Sequence, residues 1–329
     1  MKQQTKFFTK INNNTIRCTL CPHNCTLKEN QKGICGTRIN YNRILYTTIY
    51  GEVSAVNVDP MEKKPLFHFY PGEDILSLGT IGCNLKCPYC QNWNISQNTE
   101  YTTENVSPED IINICKNKNI RHIAYTYSEP IIWYEFVYDT AKLANQNKIN
   151  NVLVTNGYIN KEPLKEIAPF IQAANIDVKA FNDRFYTHLI KGKLQPVLET
   201  VEYLYNKTHI EITMLIIPGW NDNLNEIKKF TDWVSSLSPD IPVHFSRYFP
   251  QYKFDTPATP LETLREIYDI AAEKLNYVYI GNAAIKDTEN SYCPHCGNLL
   301  IERTYYNIKI TGLHKNKCSK CGKTLNFKL

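Results

Sequence analysis

The sequence predicts an α/β protein whose main body is a barrel or an open partial barrel, preceded by a cysteine-rich head and followed by a two-knuckle metal ribbon. Three observations carry this. Between about residues 74 and 285, short β-branched and aromatic runs alternate with helical patterns, as expected of a parallel sheet flanked by helices. Two C-x2-C-G knuckles lie near the end of the chain, and four other cysteines crowd its start. With 329 residues, 43% hydrophobic and 12% aromatic, there is enough apolar chain for one large domain with small appendages.

The head is assigned to residues 1–72. Cys18, Cys21, Cys25 and Cys35 have the spacing C-x2-C-x3-C-x9-C, which suits structural zinc or a closed [4Fe-4S] cluster, and spacing does not separate the two. His23 is expected to point to solvent, the alternative being that it replaces one thiolate. Alternating runs at 43–47 and 52–58 predict a small antiparallel unit within the head. The barrel is assigned to 73–288, with strands at 74–80, 122–127, 151–156, 174–179, 210–217, 243–247 and 277–280. Ser107-Pro108-Glu109-Asp110 is a helix start, with a capping serine and a proline at the first position. Thr259-Pro260-Leu261-Glu262 repeats that pattern. Cys115 and His122 are expected to be packed core residues rather than ligands. The ribbon, 289–329, carries Cys293, Cys296, Cys318 and Cys321, two knuckles separated by 21 residues, a strong zinc-ribbon pattern. Lys315, Lys317, Lys320 and Lys323 are expected to form a solvated basic face.

Net charge is +5 without a dense Lys/Arg run, so nothing calls for a nucleic-acid partner. The first fifteen residues are too polar for a signal peptide and no window approaches a membrane span, so a cytoplasmic protein is expected, with no membrane partner. Twelve cysteines in such a chain argue for metal rather than disulfides.

Among those twelve, Cys83, Cys87 and Cys90 form the group that is not coordinatively complete. Their C-x3-C-x2-C loop follows an apolar run, and the next cysteine, Cys115, is 25 residues beyond Cys90. Three thiolates on one loop can hold three irons of a [4Fe-4S] cluster and leave the fourth iron open to a substrate or cosubstrate. A zinc or closed iron–sulfur staple is the structural alternative. It leads to a different class of function, a non-catalytic metal-stapled binding or scaffold protein. On a barrel, chemistry sits at the carboxyl ends of the strands. Polar residues gather there: Ser128-Glu129-Pro130, Thr155-Asn156-Gly157, Asp177-Val178-Lys179, Pro218-Gly219-Trp220-Asn221-Asp222 and Ser246-Arg247-Tyr248.

The cysteine spacing, with Tyr89 before the last cysteine, resembles the signature of the radical S-adenosylmethionine (SAM) enzymes. That resemblance implies a partial TIM-like (β/α) barrel of the radical SAM type and a [4Fe-4S] cluster whose open iron chelates SAM. One electron then yields methionine and a 5′-deoxyadenosyl radical that abstracts hydrogen. The Thr155-Asn156-Gly157, Asp177-Val178-Lys179 and Pro218–Asp222 motifs are similar to those of pyruvate formate-lyase activating enzymes. By that resemblance Asp177 and Lys179 contact SAM, Ser128 and Glu129 occupy the loop facing its amino group, and Arg247 replaces a family histidine. Tyr89 then supplies backbone contacts and packing against adenine. Acceptors for the amino group and ribose are expected at Glu129, Asn156 and Asp177. The head motif, 247–253, 278–282 and the ribbon together resemble the radical SAM component of the AmmeMemoRadiSam system. The partners implied are an electron donor such as flavodoxin or ferredoxin and a protein or small-molecule substrate. Activation of a glycyl-radical enzyme is the alternative reading. It ranks below an unassigned hydrogen abstraction because residues 91–121 hold only Cys115, where activases with extra clusters tend to carry their added cysteines.

Overall fold

The computed structural model describes residues 2–304 and 306–329. Its centre is an eight-stranded sheet: β1 (Ala55–Pro60), β2 (Asp74–Gly79), β3 (His122–Tyr125), β4 (Asn150–Thr155), β5 (Ala173–Asp177), β6 (His209–Ile216), β7 (Val243–Arg247) and β8 (Val278–Gly281). The strands lie side by side in chain order. All neighbouring pairs from β2 to β8 are parallel, and β1 alone runs antiparallel, on the edge beside β2. Among the described residues no ladder joins β8 to β1, so the barrel is open.

Helices α1 (Pro108–Asn117), α2 (Tyr134–Gln146), α3 (Lys161–Ile167), α4 (Gln195–Tyr205), α5 (Leu224–Leu237) and α6 (Leu261–Ala272) fill the crossovers. Their starts follow local chemistry. The Ser107 hydroxyl accepts from the Asp110 amide, while the Asp110 carboxylate accepts from the Ser107 amide, a reciprocal capping box. The Asn223 side chain accepts from the Asn225 and Glu226 amides and caps α5. Thr259 departs from its expected capping role. Its hydroxyl donates to the Ile216 carbonyl and accepts from the Tyr248 amide, so it fastens the ends of β6 and β7 together and leaves α6 without a side-chain cap. The Thr-Pro pattern matched a start signal, but a buried carbonyl from another strand took the hydroxyl.

The run at 52–58 also divides differently from the expectation. Glu52–Val53 pairs with Glu104–Asn105, and Ala55–Pro60 joins the main sheet as β1 rather than a unit of the head. Alternation shows that one face is buried, not which sheet buries it.

The amino-terminal end of the barrel is plugged by the β1–β2 connection. Met61, Leu66 and Phe69 pack against Ile75, Ala124, Val152 and Ala173. Buried Glu211 accepts from the Phe67 and His68 amides and from His209 and His244. Burial alone would raise its pKa, but these hydrogen bonds, those of the two histidines foremost, hold it far below the ordinary carboxylate value. The ribbon docks on this same end. Phe327 stacks on His68 with centroids 3.8 Å apart, and Arg303 donates to the Phe67 carbonyl at 2.7 Å. With one end filled, chemistry is left to the other.

The head consists of two three-stranded antiparallel sheets, Gln3–Gln4 with Ile44–Thr47 and Arg38–Tyr41, and Phe8–Asn12 with Thr15–Cys18 and Thr26–Lys28. It is bolted to the barrel through Arg38, whose guanidinium makes a two-pronged bond to Glu135 of α2 at 3.1 and 2.6 Å. Cys115 is fully buried in α1 and His122 is packed against Glu73, both as expected. No helix among the described residues is long and apolar enough to cross a membrane.

Candidate active site

The loop after β2 brings Cys83, Cys87 and Cys90 to the carboxyl end of the sheet. Its entry depends on Gly82, at φ +85°, where an added Cβ would lie 2.7 Å from Thr37 Cγ2 and 2.8 Å from the Cys35 carbonyl oxygen. Both the left-handed backbone and the close approach of the head therefore require glycine. The loop is then pinned along its length. The Gly82 amide donates to Ile95, Lys86 to Ile190 and Lys253 to Pro88. The Leu85 amide donates to Cys83 Sγ at 3.4 Å, and Cys90 Sγ lies 3.1 Å from Ser96 Oγ. No fourth cysteine joins them, since Cys115 is sequestered in the core.

These thiols are costly to ionise as they stand. Burial pushes Cys83 well above the ordinary thiol value and Cys87 up to about 11, the latter moderated by the Lys179 charge. A metal removes that cost, because the thiolate is the ligand form. The set thus fits a cluster with one iron left open.

On the next strand ends, the structure sorts the expected SAM ligands into two kinds. Glu129 is 2% exposed. Its carboxylate accepts from the Thr155 hydroxyl at 2.6 Å, the Asn156 amide at 2.9 Å and the Ile131 amide at 3.0 Å. Burial raises its pKa to about 7 against those bonds. Asn156 donates to Asn84 Oδ1 at 2.9 Å and accepts from the Tyr158 amide at 2.9 Å. Glu129 and Asn156 are therefore braced by protein partners. Ser128 is different: its hydroxyl oxygen is buried and has no partner. Asp177 and Lys179, ending β5, form an ion pair at 2.9 Å with side chains 35% and 18% exposed. Burial disfavours the Lys179 ammonium, but Asp177 and the nearby Cys87 more than offset it and hold the group charged. Arg247, at the end of β7, donates from Nε to the Thr259 carbonyl at 2.8 Å and lays its guanidinium over Phe249. Tyr89 is 4% exposed, its ring between Phe185 and Phe254.

Three residues that the sequence reading quoted without assigning a role, or did not single out, turn out to organise this end. Asn84, fully buried, accepts from Asn156 and donates to the Tyr158 carbonyl. Asn221 donates to the Lys179 and Leu215 carbonyls at 2.7 and 2.8 Å, fixing the end of β5 beside β6. The Tyr186 hydroxyl accepts from the Lys179 amide at 3.1 Å. Asn84 lay inside the cysteine motif, which was the available signal. His23 neither points to solvent nor replaces a thiolate. Its Nε2 meets the Asn84 carbonyl at 2.7 Å and its ring packs on Tyr158, a contact that only the docked head reveals.

The ribbon is separate from all of this. Cys293, Cys296, Cys318 and Cys321 have ligand atoms within 4.8 Å of one another and could hold a metal ion. Amides of Cys321 and Lys320 facing Cys318 lower its pKa to about 6. Cys318→Ala is expected to release that metal and make the tail protease-sensitive while SAM binding persists; a matching loss of SAM binding would tie the ribbon to the active end.

The site is thus a three-cysteine loop after the first parallel strand of an open barrel, at the same end as the Asp177–Lys179 pair. Residues 78–234 match the model of the radical SAM superfamily. A protein of Methanocaldococcus jannaschii, "Uncharacterized protein MJ0808", is 44% identical over 99% of this chain and all of its own length. The pyruvate formate-lyase 1-activating enzyme of Escherichia coli K12 is 28% identical over 43% of this chain and 61% of its own. Among solved structures, a radical SAM methyltransferase from Sphaerobacter thermophilus covers 91% of this chain and 81% of its own, with TM-score 0.52 at 13% identity; that likeness concerns the fold alone. The chain belongs to the radical SAM superfamily and is an enzyme. Membership implies SAM and a [4Fe-4S] cluster as its cofactors.

Proposed function

We propose that Cys83, Cys87 and Cys90 hold the [4Fe-4S] cluster and that SAM lies between it and the ends of β3, β5 and β7. When bound, the cluster supplies the one electron that cleaves SAM to methionine and a 5′-deoxyadenosyl radical able to abstract hydrogen from a substrate. The observation that carries this is a three-thiol loop with no fourth cysteine, opening toward a partly exposed Asp177–Lys179 pair. Lys179 presents a cation to the SAM carboxylate, and Asp177 an acceptor to its ribose or amino group. The unpartnered Ser128 hydroxyl offers a further hydrogen bond, and Arg247 a second cation. Glu129, Asn156 and Asn84 act as a brace, keeping the cysteine loop in register with the strand ends. Tyr89 closes the apolar wall that excludes water.

The electron donor is of the flavodoxin or ferredoxin class. The substrate is a protein or a small molecule, with glycyl-radical activation as a reading that the similarity to activating enzymes keeps open. A three-part division into head, barrel and ribbon, with β1 and the β1–β2 connection counted in the barrel rather than in a head reaching residue 72, a cytoplasmic setting and zinc in the ribbon complete the proposal.

The test is anaerobic reconstitution followed by electron paramagnetic resonance of the dithionite-reduced protein with and without SAM, with 5′-deoxyadenosine followed by chromatography. A signal that shifts on adding SAM, with deoxyadenosine formed, is expected. A cluster indifferent to SAM sinks the reading. In the same assay Lys179→Ala should lose a charge-assisted bond of about 1.5–3 kcal/mol, raising the SAM Kd roughly 10- to 100-fold. An unchanged Kd removes Lys179 from the site.

A further inference from the structure

Two edges bound the open barrel, and they are finished differently. At β8 the Ile280 amide donates to the Thr288 carbonyl and the Tyr279 hydroxyl meets Ser291, so the chain folds back over that side. β1 is the other terminal strand of the sheet. Val56, Asn57 and Val58 are exposed there, the two valines at 41% and 43%. These three residues carry none of the charges or prolines that guard a free edge.

The ladder fixes which main-chain groups face outward. In an antiparallel pair, residues alternate between turning N–H and C=O to the neighbour and turning both away. The Met61 amide donates to the Glu73 carbonyl, which puts the odd-numbered residues of β1 in phase to bond β2. Pro60, paired with Asp74, agrees, because a proline fits a ladder where its nitrogen faces away from the partner strand. Val56 and Val58 therefore present their N–H and C=O groups to the open side. Pro60 offers a carbonyl and no donor, and so closes the edge at the plugged end. The free stretch is the half nearer the active end: Ala55 pairs with Gly79, and Cys83 follows four residues later.

Side chains alternate as well. Val56 and Val58 pair with Leu78 and Leu76, which belong to the core beneath the helices, whereas Asp59 pairs with Ile75 of the plug inside the barrel. Odd positions thus face inward, where the Tyr127 hydroxyl accepts from Asn57 and donates to Asp59 at 2.6 Å. A strand added beyond β1 would lie about 10 Å from β2, two strand spacings. Its outward side chains would rest against the exposed valines. Those between them would enter the barrel opening on the side of the cysteine loop.

We propose that β1 is the docking edge for the substrate, and that the substrate is a polypeptide: an extended segment, apolar at alternate positions, that adds to Val56 and Val58 as a further strand. This rests on the reading of the cysteine loop as the catalytic centre. A bare main-chain edge is matched by another main chain, not by a small molecule. A strip of two outward residues is also well short of the roughly 20–30 residues a side of a stable interface between copies, whereas a substrate that binds and leaves needs no more.

A display library of random linear peptides, panned on the reconstituted full-length enzyme with SAM and no reductant, tests this by binding alone, so failure of the catalytic reading leaves the result intact. Selected peptides are expected to slow amide exchange at 55–60 and not at 278–281, and to lose binding when their alternate amides are N-methylated. Val58→Pro removes one outward N–H and sets a ring on the edge. Affinity is expected to fall by about fivefold or more, the worth of one main-chain bond, with circular dichroism unchanged. Val58→Lys, a residue that edge strands accommodate and that discourages pairing, gives the same reading should the proline variant fail to fold. Binders that ignore both variants, a library that yields none protecting 55–60, or a dimer that Val58→Pro dissolves would overturn the proposal.

Discussion

Cys87→Ala is expected to abolish 5′-deoxyadenosine formation entirely while the chain keeps its far-ultraviolet circular dichroism. The expectation follows from how the loop is held. Its course is set by main-chain bonds from Gly82 to Ile95, Lys86 to Ile190 and Lys253 to Pro88, none of which uses the Cys87 side chain. Removing a single buried sulfur costs on the order of 1 kcal/mol of packing, well within the stability of a folded domain. The same change removes one of three iron ligands and leaves two, too few to hold the cluster on this loop. Deoxyadenosine production that survived the substitution would move the catalytic cluster elsewhere. Loss of fold comparable to that of a head variant would deny the separation of catalytic from structural cysteines.

Glu135→Ala is expected to destabilise the protein by about 3–5 kcal/mol, the usual consequence of leaving one member of a buried pair without its partner. Arg38 and Glu135 side chains are 1% and 9% exposed, and their closer contact is 2.6 Å. The pair spans the joint between the head and α2, so its loss should loosen the head before the barrel. Urea denaturation measures the first effect and limited proteolysis near residue 38 the second. The double variant Arg38→Met, Glu135→Leu should recover most of the stability, since apolar pairs of similar volume replace buried ion pairs at little cost. A single-variant loss below about 1 kcal/mol would place the pair in solvent, where such contacts are weak.

Much of the fold was legible because its strands are apolar, β-branched runs that end at polar residues. All seven parallel strands lie where the runs placed them, and Ser107 caps α1 as its motif indicates. The misreadings share a cause. Thr259 matches a helix start, yet its hydroxyl serves two strand ends. His23 reads as a solvent residue, yet the docked head carries it onto Asn84. The run at 52–58 alternates like a strand, and nothing local tells it to join β2. In each case the deciding partner is distant in sequence, supplied by another element's unpaired carbonyl or edge.

The active site shows the same division. Spacing alone marked Cys83, Cys87 and Cys90 as an incomplete set, because they are three and the next cysteine, Cys115, lies 25 residues beyond Cys90. Spacing likewise set Asp177 and Lys179 on one strand end. It could not tell Glu129 and Asn156, braced by Thr155, Tyr158 and Asn84, from Asp177 and Lys179, which remain partly open.

By itself the sequence determined which atoms are available: three groups of thiols, a ladder of strands and a row of polar residues following them. The tertiary structure decided how far apart those atoms stand and which are already satisfied. Local spacing constrains a loop to within a few bonds, whereas the gap between sulfurs drawn from different loops and the partner of a buried carboxylate depend on how separate elements pack. That packing is why the ribbon, with two cysteine pairs separated by 21 residues in sequence, closes to the size of one metal ion.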